Sequence, residues 1–257
     1  MPDVLVYVAL FVLGLIIGSF LNVCIWRIPK GESIVKAPSH CVACGARVKP
    51  YDLIPLISYI ILAGKCRSCK AKISLKYPFV ELITGLGFAL LYLFPDLRAM
   101  IVFYAALYAA LVTLSFIDFE HKIIPDGIVI FLLAAGVLYN AASFALNQDL
   151  FALIPPVAGF FAASVPMYIL ALIYKGGMGG GDIKLMAVCG LFLGWSKILL
   201  ALFIAAAVAC IFVLIGSLFK IRKQERSVVF GPFLSVGIMA ALIYGDSLIG
   251  WYLKIIL

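Results

Sequence analysis

The chain has 257 residues, of which 65% are apolar and only 12% are charged, and its net charge is +8. Soluble globular domains carry roughly 45–50% apolar and about 25% charged residues, so a water-soluble enzyme is excluded. A disordered chain and a small secreted fold held by disulfides are excluded on the same grounds. Repeated apolar runs of about 20 residues instead predict an all-α polytopic membrane protein.

Eight apolar segments are candidate transmembrane helices. In chain order they are residues 4–26, 77–94, 99–117, 127–146, 151–174, 183–194, 198–219 and 228–244, followed by a short amphiphilic tail. The apolar piece 53–63 is too short to span a bilayer and is expected at the membrane interface or packed within its loop. We therefore expect about eight transmembrane helices in three parts: a first helix (1–26), a polar loop domain (27–76) and a membrane core (77–257).

The positive charge is concentrated in one segment. Between Arg27 and Lys76, ten Lys and Arg residues stand against only Glu32 and Asp52. In a membrane protein such a loop is better evidence for topology than for nucleic-acid binding, because short loops rich in Lys and Arg stay in the cytoplasm. Alternating the spans places a second basic segment, 220–226, on the same face. We expect that face to be cytoplasmic and expect no nucleic-acid partner.

Four cysteines form two CxxC pairs in this basic loop, Cys41 with Cys44 and Cys66 with Cys69, separated by 21 residues. Two intervening residues form a tight turn that brings both sulfurs to one edge of a tetrahedral Zn²⁺. Two disulfides or four unrelated thiols are the alternatives, but a reducing cytoplasm disfavours disulfides. The loop is therefore predicted to bind zinc, and four protein ligands would make that zinc structural.

Four carboxylates lie at span ends on the same face: Glu81, Asp118, Asp126 and Asp182. Carboxylates in a membrane are costly and usually functional. Asp118 closes the third predicted span and Asp182 opens the sixth, so both are expected at about the same depth. Two close carboxylates cannot both ionise, so one can polarise a carbonyl while the other activates water. Asp118 and Asp182 are therefore candidates for a pair that holds one proton and one water between two carboxylates.

Each aspartate also has a purely structural interpretation. Asp182 could cap the helix that it precedes, and Asp118 could be an interfacial carboxylate paired with His121 or Lys122. The glycines just before Asp182 favour a functional interpretation, because they let the backbone approach an extended substrate and offer it hydrogen bonds.

Several motifs together resemble one family. They are GSFLNVCIWRIP (18–29), the two CxxC pairs, YPFVELITG (77–85), IDFEHKIIPD (117–126), GMGGGDIKL (177–185) and FGPFL (230–234). In this order, and over almost the whole chain, they resemble the type IV prepilin peptidases, also called prepilin leader peptidase/N-methyltransferases. These are membrane aspartyl proteases of the GxGD type.

The resemblance implies two activities. Members of the family cut the basic leader from type IV prepilins and type II secretion pseudopilins at the cytoplasmic membrane face. They then methylate the new N-terminal residue with S-adenosylmethionine. By motif position the catalytic pair falls on Asp118 and Asp182, with Gly179, Gly181 and Asp126 in supporting roles. The implied setting is the bacterial inner membrane, with membrane lipid as a further partner.

The methyl-donor site carries weaker signals. The sequence has no GxGxxG fingerprint following a strand. Glu81 and Gly85 are candidates at the boundary between loop and membrane, since a carboxylate can bond a ribose or face a sulfonium. A helix-packing glycine beside a paired glutamate is the alternative.

Two rival functions compete with this interpretation of the whole chain. Another GxGD intramembrane protease is the first, and the four-cysteine loop and the FGPFL motif argue against it. A zinc-ribbon-bearing membrane transporter is the second. Transporters often contain internal repeats and binding sites near the membrane midplane, whereas this sequence has no apparent repeat and its carboxylates lie at span ends.

Overall fold

The computed structural model describes residues 2–36, 38–174, 179–218 and 229–256. Within these ranges the chain forms helices and no β-strand, and its only bridges are the isolated pairs His40–Arg47 and Lys65–Lys72. Six helices in the same ranges are long and apolar enough to cross a membrane. The prediction of an all-α, multi-pass membrane protein is therefore confirmed. The chain divides into two compact units, Met1–Thr113 and Leu114–Leu257.

The helix surfaces are strongly apolar, as the composition predicts. Large side chains such as Leu5, Val102 and Phe203 each expose more than 70% of their surface. Soluble monomers rarely expose contiguous apolar patches of this kind. These faces therefore suit hydrocarbon as their solvent.

The first unit contains two long helices packed side by side. Its helices are α1 (Pro2–Arg27), α2 (Ile57–Ile61), α3 (Lys76–Leu91), α4 (Pro95–Arg98) and the first part of α5 (Ile101–His121). α1 packs along α3, and a Cβ added to Gly14 or Gly18 would stand 2.7 Å from the Cα of Gly85 or Glu81 respectively. Small residues four apart let membrane helices bring their backbones together. This contact fixes which residues of α1 face Glu81.

The second unit is organised around its longest helix. It contains the end of α5 followed by α6 (Asp126–Asn147), α7 (Ile154–Ala162), α8 (Ser164–Ile173), α9 (Gly180–Leu218) and α10 (Gly231–Ile256). α9 packs against α6, α7, α8 and α10. Gly159 of α7 and Gly190 of α9 meet backbone to backbone, with no room for a Cβ on either. Within α9, Gly194 adopts φ 74° and ψ 175°, which breaks the helix there.

The described residues contain six candidate spans rather than the predicted number of about eight, for two reasons. α3 has 16 residues, which is short for a helix that must cross about 30 Å of hydrocarbon. The predicted spans 183–194 and 198–219 form one long candidate span, Gly180–Ser217, although the break at Gly194 falls where the sequence separates them. The other five predicted spans each overlap one of the six.

Other features of the sequence map as follows. The piece 53–63 contains the five-residue helix α2. α10 continues to Ile256 rather than ending near residue 244, and Lys197 donates a 2.6 Å hydrogen bond to Asp246 beside that continuation. The basic segment 220–226 and the first part of the glycine-rich loop, 175–178, lie outside the described residues.

Candidate active site, metal centre and cavity

Asp118 lies in the last turn of α5 and is buried, with 6% of its surface exposed. Its Oδ2 accepts a 2.8 Å hydrogen bond from the backbone N–H of Gly231, the first residue of α10. The C-terminus of its own helix disfavours a carboxylate, whereas the N-terminus of another helix favours one. The N-terminus of α10 therefore stabilises the buried carboxylate of Asp118 in two ways, through the hydrogen bond from the Gly231 N–H and through the positive end of the helix dipole.

A serine pair ties the same two helices together one turn below. Ser115 of α5 donates a 2.8 Å hydrogen bond to the hydroxyl of Ser235, and that hydroxyl donates to the carbonyl of Gly231 at 3.0 Å. The first turn of α10 is thus anchored to the last turns of α5. This anchoring holds the Gly231 N–H in place against Asp118.

Asp182 lies in the first turn of α9 and is half-buried. Its N–H donates a 3.1 Å hydrogen bond to the carbonyl of Gly179. Its carboxylate feels electrostatic repulsion from that of Asp118, so the structure brings the two aspartates into one neighbourhood. The two aspartates, which are 64 residues apart in the chain, therefore both lie in the second unit.

The glycines before Asp182 differ in what surrounds them. A Cβ on Gly179 would stand 3.0 Å from Asp182 Oδ2, and one on Gly181 would stand 2.8 Å from the Cβ of Ile124. A Cβ on Gly180 would meet nothing within 4 Å. The space around the Asp182 carboxylate therefore depends on Gly179. The close packing of Ile124, in the loop after α5, depends on Gly181.

Asp126 begins α6 at the exposed end of the same unit. Its Oδ1 accepts a 2.7 Å hydrogen bond from Lys184 Nζ, two residues after Asp182. Both side chains are exposed, and ion pairs of this kind contribute at most about 1 kcal/mol. The pair links the start of α6 to the start of α9, two residues after Asp182.

The four cysteines of the basic loop converge. The Sγ atoms of Cys41, Cys44, Cys66 and Cys69 all lie within 4.8 Å of one another, and those of Cys41 and Cys69 are 3.9 Å apart. Four sulfurs placed tetrahedrally at about 2.3 Å from a zinc ion would be about 3.8 Å apart. The cluster therefore has the donor set and the spacing of a structural zinc site.

Each CxxC pair is held in a matching hairpin. Cys41 N donates to Ala46 O at 2.9 Å, and Cys66 N donates to Ala71 O at 2.8 Å. The residue after each second cysteine, Gly45 in one hairpin and Lys70 in the other, has φ of 69° or 60°. Backbone N–H groups of Cys69 and Ser68 lower the pKa of the Cys66 thiol to about 6. A thiolate at neutral pH is the form that binds metal.

A cavity of about 600 Å³ lies between the polar loop and the ends of α1 and α3 in the first unit. Glu81 lines it, is 8% exposed, and accepts a 2.9 Å hydrogen bond from the backbone N–H of Leu56. Gly85 is one helical turn further along α3, where a Cβ would collide with Leu15 and Phe11 of α1. The structure thus puts Glu81 at the cavity and Gly85 in the helix–helix contact.

The sequence analysis did not single out two residues that the structure places beside the candidate sites. Gly231 reaches Asp118 across 113 residues, and its only signal is its place in the FGPFL motif, just before a proline that starts a helix. Asn22 lines the cavity and is a polar residue within an apolar span, which is itself a signal.

Comparisons with known proteins identify relatives of this chain. Two family models match: the Bacterial Peptidase A24 N-terminal domain over residues 12–94 and the Type IV leader peptidase family over residues 105–215. A prepilin leader peptidase/N-methyltransferase of Bacillus subtilis is 36% identical over 96% of this chain and 98% of its own length. Those of Pseudomonas aeruginosa and Neisseria gonorrhoeae are 33% and 30% identical over 94% of this chain, covering 91% and 93% of their own lengths. No solved structure matches the chain.

Proposed function

The chain belongs to the type IV leader peptidase family, and from this premise we propose that it cleaves the basic leader of type IV prepilins and type II secretion pseudopilins and then methylates the new N-terminal residue. The reaction takes place at the cytoplasmic face of the bacterial inner membrane. The observation that supports the cleavage half is the electrostatic interaction between the carboxylates of Asp118, at the end of α5, and Asp182, at the start of α9.

The two aspartates have different roles in peptide hydrolysis, one as the general base and the other as the general acid. Because two neighbouring carboxylates cannot both ionise, they share one proton. The Gly231 N–H and the N-terminus of α10 favour the ionised form of Asp118, so the proton resides on Asp182. Asp118 then takes a proton from the attacking water as the water oxygen bonds to the scissile carbon, and Asp182 gives its proton to the carbonyl oxygen. When the C–N bond breaks, Asp118 passes its proton to the leaving amine and the hydroxyl proton returns to Asp182.

The start of α9 receives the substrate backbone. Gly179 is exposed, and it lacks a side chain that would keep an extended peptide away from backbone donors and acceptors. Gly181 lets Ile124 pack against the start of the helix. The ion pair of Asp126 with Lys184 supports the same end of the site.

The four-cysteine loop, residues 27–76, is a metal-stabilised domain. Cys41, Cys44, Cys66 and Cys69 would hold one Zn²⁺, which with four protein ligands has no open position for catalysis. The ion holds the two hairpins together, since separate hairpins of this length lack a core of their own.

The methyl donor binds in the first unit. S-adenosylmethionine, when bound, supplies an electrophilic methyl group for the new N-terminal amine. The cavity beside the polar loop has the size of a pocket for a ligand of this class. Glu81 at its edge provides a carboxylate for a hydroxyl or a cationic group of the donor.

One reaction tests the proposal. The purified chain in detergent is incubated with a prepilin, with and without S-adenosylmethionine, and intact masses are measured. We expect loss of the leader in both reactions and the added mass of one methyl group only when the donor is present. An unchanged precursor mass, with an active relative as positive control, would overturn the proposal.

A further inference from the structure

The part of α9 that carries Asp182 is a short, fully enclosed helix. The break at Gly194 separates the half-helix 180–193 from the rest of α9. Residues 185–190 of this half-helix are all buried, and six consecutive residues cover every side of a helix. α6, α7, α8 and α10 pack around α9. The position of the half-helix therefore depends on its contacts with these neighbours.

The break leaves backbone carbonyls without helical partners. The last four carbonyls of a helix have no N–H group one turn further along, and in the half-helix these belong to residues 190–193. No water is available within the hydrocarbon region to replace the missing donors, so neighbouring helices must supply them. A side chain that donates to one of these carbonyls therefore also fixes the end of the half-helix.

Asn140 of α6 is such a donor. Its Nδ2 donates a 3.0 Å hydrogen bond to the carbonyl of Leu191 and a 2.8 Å hydrogen bond to the carbonyl of Gly136, one turn earlier on its own helix. Because a carbonyl oxygen only accepts, the nitrogen of the amide must face Leu191. The bond to Gly136 uses one amide proton and thereby orients the other toward Leu191.

The backbones are also closely packed at this end of the half-helix. A Cβ on Gly190 would stand 2.1 Å from the carbonyl oxygen of Gly159 on α7, and a Cβ on Gly136 would stand 3.1 Å from the side chain of Leu191. Such contacts set the distance between helices, but they do not select one position along the helix axis. A hydrogen bond is directional, so the Asn140 amide supplies that position.

The other end of the half-helix carries Asp182. Asp182 lies in the first turn of α9, nine residues before Leu191, which is about 14 Å along a helix. α6 contacts this end as well, through the ion pair of Asp126 with Lys184, but exposed ion pairs of this kind are weak. Because a helix is stiff over so short a length, a shift of Leu191 moves Asp182 with it.

We propose that Asn140 is a positioning residue for prepilin cleavage: its amide holds the half-helix at Leu191 and thereby sets the place of Asp182 relative to Asp118. This role presupposes the proposed cleavage activity. Asn140 does not touch the reacting groups and acts on them through α9. Two carboxylates that share a proton and a water tolerate little displacement, and an error of about 1 Å can cost about a hundredfold in rate.

Steady-state kinetics of prepilin cleavage by the purified full chain test this role. Asn140→Leu keeps the volume of the side chain and removes the donor, and rates are expressed per mole of folded protein. We expect kcat to fall about tenfold or more and KM to change less than about twofold, because the contacts with substrate remain.

Asn147→Leu is the matched control. It makes the same substitution two turns further along α6, where the Asn147 amide donates to Ser143 of its own helix. Its kcat and KM should match those of the wild type. A folded Asn140→Leu that cleaves prepilin as fast as Asn147→Leu would overturn the proposal.

The pH dependence of kcat/KM separates positioning from a merely structural role. Only the aspartate pair with one shared proton is active, so the profile is bell-shaped, and its width reflects how strongly the two carboxylates interact. A displaced Asp182 interacts differently with Asp118, so the bell of Asn140→Leu should differ in width from that of the wild type. A bell of unchanged width, lowered equally at every pH, would mean only that less protein is active, and would overturn the proposal.

Asn140→Gln provides the test if Asn140→Leu does not fold. Glutamine carries the same donors on an arm that is one methylene longer, so it reaches the Leu191 carbonyl from a different place. We expect a lower kcat and a changed width of the bell, and wild-type kinetics would overturn the proposal. A wild-type chain that does not cleave prepilin would overturn the proposed function itself. Normal cleavage that is indifferent to Asn140 would overturn this inference alone.

Discussion

At the scale of single residues, the position of Asp118 depends on a residue that contributes only backbone. A Cβ on Gly231 would stand 2.6 Å from Asp118 Oδ2, so Gly231→Ala must displace the carboxylate that the Gly231 N–H holds. Misplacing a reacting group by about 1 Å can cost about a hundredfold in rate. We expect a loss of prepilin cleavage of that order, measured as the initial rate of leader removal.

Gly250→Ala, in the same helix, is the control for this substitution. A Cβ there would meet nothing within 4 Å, so its cleavage rate should match the wild type. If Gly231→Ala cleaves as fast as Gly250→Ala, the contact between α10 and Asp118 has no part in catalysis.

The glycines before Asp182 allow an equally local test. Gly179→Ala would crowd the Asp182 carboxylate, whereas the neighbouring Gly180→Ala would meet nothing. We therefore expect Gly179→Ala to slow cleavage about tenfold or more and Gly180→Ala to leave it nearly unchanged. The rates come from the same prepilin assay. Equal rates for the two variants would mean that the carboxylate tolerates crowding, or that the glycines serve only backbone flexibility.

At the scale of elements, the two hairpins of the basic loop depend on a shared metal. We expect about one zinc per chain, because the four cysteine sulfurs have tetrahedral spacing. A Cys66→Ser change or a strong chelator should remove the metal and make residues 27–76 sensitive to protease, since binding free energy is folding free energy in such small domains. Metal analysis and limited proteolysis measure the two effects.

Cys210→Ser is the matched control for the zinc prediction, because Cys210 is an exposed cysteine of α9 outside the cluster. It should keep the full zinc content and the protease resistance of the wild type. Protein prepared without chelator that contains no zinc would contradict the assignment of the four cysteines.

The sequence predicted elements best where a local pattern decides them. The CxxC spacing predicted the cysteine cluster, and the start and end of apolar runs predicted that Asp118 and Asp182 lie at helix ends. The number of spans was harder to predict, because the short length of α3 and the continuity of α9 on either side of Gly194 depend on how the helices pack. Gly194 takes a positive φ with Pro155 of α7 beside it, and nothing in the local sequence reveals that neighbour.

Contacts between distant parts of the chain could not be predicted from the sequence, because they also depend on how the helices pack. The Gly231 N–H reaches Asp118 across 113 residues, and Asn22 reaches Tyr77 across 55. The close approach of α1 and α3 also changes how Gly85 is interpreted. Its neighbours are Leu15 and Phe11 rather than the cavity, which agrees with the helix-packing alternative for that residue.

At the scale of the whole molecule, the proposed cleavage and methylation residues lie in different compact units. Glu81→Gln, in the first unit, should therefore reduce methylation about tenfold or more and leave cleavage nearly unchanged. Asp118→Asn, in the second, should abolish cleavage yet still methylate a pilin supplied already cleaved. Intact-mass analysis of pilin, with and without S-adenosylmethionine, measures both activities. Strictly proportional losses of the two activities in these variants would show that the sites are not separable.

The most direct measurement is the rate of prepilin cleavage by Asp118→Asn and Asp182→Asn, read by intact mass in purified, folded protein. Asparagine keeps the shape of each side chain and removes its ability to share a proton, so each variant should lose about a hundredfold or more in rate. Glu120→Gln, which changes an exposed carboxylate two residues from Asp118, should keep a rate close to that of the wild type. If either aspartate variant folds and still cleaves prepilin at a rate near that of Glu120→Gln, the two aspartates are not the catalytic pair.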